Sequence, residues 1–159
     1  MKIQLSNFNY SKLYNVVENF KDNKIDRKDI NKQSLSWSDI QVYSDIHHAI
    51  DQMARLPKDN NLNLDKNIAH KALNLLGYFK EQLKIRPPKI INQDGEALAY
   101  TWVIGNIKRY LIVADEEVSL MDLTLDGQDS YEEVLSQDDN LPLNKIKERL
   151  LVQTNSLST

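Results

Sequence analysis

The chain of 159 residues contains no cysteine. Disulfides, thiolate metal sites and cysteine nucleophiles are therefore excluded together. Glycine and proline number only four each. The glycines stand apart at 77, 95, 105 and 127, so no Gly-rich loop can cradle a phosphate. Neither a GxSxG elbow nor an HExxH zinc helix occurs. Asp94 and Glu96 flank a turn glycine, yet no Glu-x-Lys follows on the next strand, which leaves a metal-dependent nuclease core without support. No apolar run approaches the ~20 residues that span a bilayer. The first seven residues turn polar at once, unlike a secretory signal. The expectation is a cytoplasmic protein with no cofactor, no metal and no membrane partner.

What remains is ordinary for a globular chain: 41% hydrophobic and 27% charged residues, enough to bury a core without covalent staples. One domain is expected over residues 1–152, followed by a polar tail, 153–159. Lys outnumbers Arg by 15 to 5, which points to an A·T-rich coding source, bacterial or phage. The net charge of −3 hides an uneven distribution. Residues 1–114 carry 17 basic and 12 acidic side chains, whereas residues 115–139 carry ten acids and no Lys or Arg. Lys21, Lys24, Arg27, Lys28 and Lys32 are interleaved with Asp22, Asp26 and Asp29, so the one basic run nearly cancels and nucleic-acid binding is disfavoured.

Apolar spacing divides the chain into a helical half, 1–86, and a strand half. Ile3 and Leu5 alternate as in a short strand. Leu13, Val16, Val17 and Phe20 then share one helical face from about Asn9 to Asp22. Ser36 with Asp39 three residues on has the form of a helix start. Trp37, Ile40, Tyr43, Ile46, His47, Ile50 and Met53 form the stripe of that helix, which Ser44-Asp45 could divide and Leu56-Pro57 ends. A third helix spans about 64–84, and Gly77 inside it is expected to permit close packing. Arg86-Pro87-Pro88 stops it.

From 88 to 123 the period becomes two. Lys89–Ile91 precedes a turn at Asn92–Gly95, and Gly105-Asn106 is a two-residue hairpin signal. Placing that turn fixes the register: Leu98 faces Val113, Tyr100 faces Leu111 and Trp102 faces Arg109. A second turn near 114–117 brings Val118 beside Val113, Leu120 beside Leu111 and Asp122 beside Arg109. Two independent turns thus agree on one apolar face. The opposite face holds Ala99, Thr101, Val103, Tyr110, Ile112 and Met121, too apolar to be fully wet. Residues 124–140 read as an acidic loop, and 141–152 as a short helix on Leu143, Ile146 and Leu150. The predicted class is α+β: about three N-terminal helices packed on a three- to four-stranded antiparallel meander, with a short C-terminal helix.

Four groups of residues are chemically suggestive. His47, with His48 beside it and Asp51 four residues on, could make an acid–base or partial metal site, although two residues do not close a zinc site, which wants three or four ligands. Trp102, Arg109 and Asp122 form a cross-strand row suited to an anion or to a structural tie. Tyr110 and Met121 fall together on the second sheet face, as at protein interfaces. Glu116 and Glu117 open the acidic belt, which could meet a basic partner. The reading that best accommodates these features is a non-catalytic protein-binding module. It would be the neutralising partner of another, basic protein, such as an antitoxin, an immunity protein or an inhibitor, and its contacts would be Trp102, Arg109, Tyr110, Glu116, Glu117, Met121 and Asp122. A small enzyme built around His47 and Asp51, with Arg109 nearby, is the alternative.

Overall fold

A computed structural model describes residues 34–151. The helix expected over 9–22, the strand at 3–5, the basic run and the polar tail lie outside the described residues. Within them the order is α1 (Trp37–Arg55), α2 (Lys66–Gly77), a π-helical turn (Tyr78–Leu83), β1 (Lys89–Asn92), β2 (Ala97–Ile104), β3 (Ile107–Ala114), β4 (Val118–Thr124), β5 (Ser130–Ser136) and α3 (Leu143–Leu151).

Helix α1 begins as its sequence dictates. Ser36 Oγ accepts from the Asp39 backbone N–H at 3.0 Å, and Asp39 Oδ2 accepts from the Ser36 N–H at 3.2 Å, so each residue satisfies an otherwise orphaned donor. The helix then runs unbroken for 19 residues, so Ser44-Asp45 does not divide it. Its buried face is Tyr43, Ile46, Ala49, Ile50 and Met53. Two members expected on that stripe are not there. Trp37 is 82% exposed, and His47 is also exposed. Trp37 occupies the first turn, before the helix meets the core, and His47 lies one residue beyond the buried arc.

Helix α2 is capped by Asp65, whose Oδ1 accepts from the N–H groups of Asn67 and Ile68. The helix expected as far as 84 changes geometry at Gly77 and continues as the π turn, which ends where Lys84 takes a left-handed conformation (φ 51°). This widened turn carries Phe79 into edge-on contact with the rings of Tyr100 (5.2 Å) and Trp102 (5.5 Å). Close packing is not the reason for Gly77, because a Cβ placed there meets no atom within 4 Å.

The sheet is an antiparallel meander of five strands in the order β1-β2-β3-β4-β5. The pairs Leu98–Val113, Tyr100–Leu111, Trp102–Arg109, Leu111–Leu120 and Arg109–Asp122 all form. Gly95, in the β1–β2 turn, has φ 78°, and a Cβ there would lie 2.2 Å from the Asn63 carbonyl oxygen, so only glycine lets the turn dock on the α1–α2 loop. The acidic stretch 124–140 is not a loop throughout. Its centre is β5, which pairs with β4 and gives the sheet a fifth strand beyond the three or four expected. A register shift between Val118 and Ser119 breaks the simple alternation along this pairing.

All described helices contribute to one core with the inner face of the sheet. Burial of Leu98, Tyr100, Leu111, Val113, Val118 and Leu120 is essentially complete, beneath Ile50, Met53, Leu75 and Phe79, with Ile146 and Leu150 of α3 at one side. Leu143, expected on the same stripe, is exposed at the first turn of α3. Burial pushes the Tyr43 and Tyr100 phenols up. Both stay protonated and donate, Tyr43 to the Ile85 carbonyl (2.8 Å) and Tyr100 to the Ala72 carbonyl (2.6 Å).

Candidate functional site

Alternation along β3 and β4 sends consecutive side chains to opposite faces, and the predicted contact residues divide accordingly. Trp102, Arg109 and Asp122 point inward. Arg109 Nε and Nη2 donate to Asp122 Oδ1 and Oδ2 at 2.7 and 2.6 Å, a two-pronged pair that is almost wholly buried. Arg109 Nη1 donates to the Arg149 carbonyl in the last turn of α3, where a cation also complements the helix dipole. Trp102 Nε1 donates to the Arg86 carbonyl at 2.8 Å. This row therefore clamps α3 and the β1 lead-in to the sheet, and its side chains are not presented to a partner.

The outer face carries Val103, Tyr110, Ile112, Met121 and Leu123, all half-buried, with Lys108 Nζ 5.3 Å from the Tyr110 ring centre. Ala99 and Thr101, on the same face of β2, are buried. None of these outer-face residues belongs to the core that the described helices share.

Of the ten acids in 115–139, eight are exposed: Asp115, Glu116, Glu117, Asp126, Asp129, Glu132, Asp138 and Asp139. Among the described residues no Lys or Arg forms an ion pair with any of the eight. They occupy the β3–β4 turn, the β4–β5 turn, β5 and the loop after it, so they follow both ends and the outer edge of one hairpin. The backbone N–H of Gln128 holds the Asp126 carboxyl below its usual range, and that of Asn140 does the same for Asp138. The other two acids are structural. Asp122 meets Arg109, and Glu133 accepts two bonds from Arg149 Nε and one from Nη2 at 2.7–2.9 Å, which lowers its pKa.

Lys71, not singled out by sequence, anchors one end of this region. It is buried, and its ammonium donates to the Ala114 and Asp115 carbonyls at 3.1 and 2.5 Å, holding the β3–β4 turn against α2. Its signal was a cation three residues after Ile68 and four before Leu75, on the flank of an apolar stripe.

His47 and His48 line an open groove with Ser44, Lys80 and Glu81. Asp51 is not part of it, being paired with Arg55 at 3.0 Å, and Arg109 is held on the sheet. His47, Asp51 and Arg109 thus do not converge. Among the described residues no group of three or more His, Asp or Glu could hold a metal ion, and no helix is long and apolar enough to cross a membrane.

No protein-family model matches the chain, and neither a curated protein nor a solved structure matches it.

Proposed function

We propose that this protein is a non-catalytic binding module that occludes a basic protein partner, the role of the neutralising half of a pair. One observation carries the reading: a partly exposed face of Tyr110, Ile112 and Met121 on β3 and β4, outside the core, is joined by the β3–β4 turn with Asp115, Glu116 and Glu117 and adjoins β5, whose strand and flanks carry the other five of eight exposed carboxylates that form no ion pair with a described Lys or Arg. Aromatic and methionine side chains supply contact area at interfaces, and surrounding charge of one sign selects and steers the partner. Glu116 and Glu117 stand at the tip of the β3–β4 turn, where a partner seated on the face would meet them. The neutralising role (antitoxin, immunity protein or inhibitor) is consistent with a net charge of −3 and with ten acids and no Lys or Arg between 115 and 139.

Affinity purification with the full tagged chain from its source cells, at low and high salt, tests the reading. A basic protein retained at low salt, released at high salt and lost when Tyr110→Ala and Met121→Ala are combined is expected. Recovery of no basic partner, or retention unchanged by those substitutions and by Glu116→Lys with Glu117→Lys, overturns it.

A further inference from the structure

The two edges of the sheet differ. Strand β1 is four residues long and covered: Asn92 is buried and donates to the Leu62 carbonyl at 3.0 Å and towards Met53 of α1. Strand β5 is seven residues long and mostly exposed, and it pairs with β4 alone. Among the described residues no backbone group pairs with its outward side, and only the Lys145 ammonium reaches it, at the Leu135 carbonyl (3.4 Å). Unpaired edge N–H and C=O groups are a template for another strand.

We propose that β5 receives an extended, basic segment of the partner by strand addition, enlarging the sheet to six strands. This rests on the protein-binding reading and specifies how the partner is held. Charge selects the occupant. Glu132 lies on the strand, with Asp126 and Asp129 before it and Asp138 and Asp139 after it. A second copy of this chain would bring these carboxylates against their own kind, whereas Lys or Arg opposite Glu132 is attracted. Val134, 47% exposed, shares the outer face with Glu132 and offers an apolar neighbour two residues on. Val134 also borders an open groove of about 890 Å3, lined further by Ser136, Asp138, Leu141, Leu143 and Lys145. Backbone bonding gives affinity here, and the alternation of basic and apolar side chains gives selectivity.

The test uses the full chain and a labelled synthetic heptapeptide in which lysine and valine alternate, beside the same peptide N-methylated at every backbone nitrogen, so that neither of its edges can pair. Binding is read by fluorescence anisotropy, and amide hydrogen exchange locates it. The expected result is binding of the plain peptide with slowed exchange at 130–136, loss with the N-methylated peptide, and about tenfold weakening by Glu132→Lys. Equal binding of both peptides overturns strand addition and leaves the protein-binding reading standing, since charge attraction alone survives N-methylation. No binding of either peptide, or exchange at 130–136 that slows with protein concentration alone because a second copy occupies the edge, also overturns it. Failure of the protein-binding reading is seen separately, in the recovery of the natural partner.

Discussion

Arg109 and Tyr110 are neighbours in sequence and opposites in environment. Arg109 is a cation buried on the inner face, with each of its three donating nitrogens engaged. Tyr110 is an aromatic residue left half-exposed on the outer face. Hydrophobicity alone would exchange them. The inner face tolerates the charge because the Asp122 carboxylate and the Arg149 carbonyl replace the lost water. The outer face keeps an aromatic surface that the described core does not use. The comparison teaches that one face of the sheet holds the fold together with the described helices, whereas the other lies outside the core they form.

The largest test of that division is Arg109→Met. It strands the Asp122 carboxylate in the core and should cost about 3–5 kcal/mol by urea denaturation, while Arg109→Met combined with Asp122→Leu should recover most of the loss. A sharper comparison uses adjacent residues of β3. Leu111→Ala empties a fully buried site and should cost about 2–5 kcal/mol. Ile112→Ala, on the outer face, should cost less than about 1 kcal/mol in the same experiment. Equal losses would mean that the outer face contributes to stability no less than the inner one.

Gly77→Ala should act in the opposite direction, raising stability by about 0.5–1 kcal/mol. The residue has helical dihedrals (φ −59°, ψ −42°) and open space where the methyl would go. The smallest effect concerns Glu133, which joins β5 to α3. Its pairing with Arg149 lowers its folded pKa below the ordinary 4.5, so the stabilisation is present above that value and disappears as pH falls through the folded value. Both partners are partly exposed, so Glu133→Gln should cost about 0.5 kcal/mol at neutral pH. Thermal melts along an acid titration should show the difference from the unmodified protein vanish at the acid end.

Legibility followed the range of the signals involved. The register from β2 to β4 could be read because each turn is local and a one-residue slip would have turned Leu111, Val113 and Leu120 outward. The capping box of α1 was equally local. Strand β5 was not legible. Two adjacent glutamates, flanking serines and the register shift opposite Val118 and Ser119 erase the alternation that marks a strand, and its pairing is supplied by β4. Trp37 misled because helical spacing gives the direction of a side chain but not where along the helix the core begins. For the candidate surface, sequence found the row Trp102–Arg109–Asp122 and the pair Tyr110 and Met121, but not which of the two faces the helices would cover.

Chain order by itself therefore determined the period from α1 to β4, the turns joining β1 to β4 and the concentration of acids between 115 and 139, because these depend on residues a few positions apart. Only tertiary structure decided that Arg109 and Asp122 form a buried clamp on α3, that Lys71 fastens the β3–β4 turn and that the acid-rich stretch supplies an open edge strand. Each of those outcomes depends on groups distant in sequence arriving together to replace water, and no local pattern encodes that.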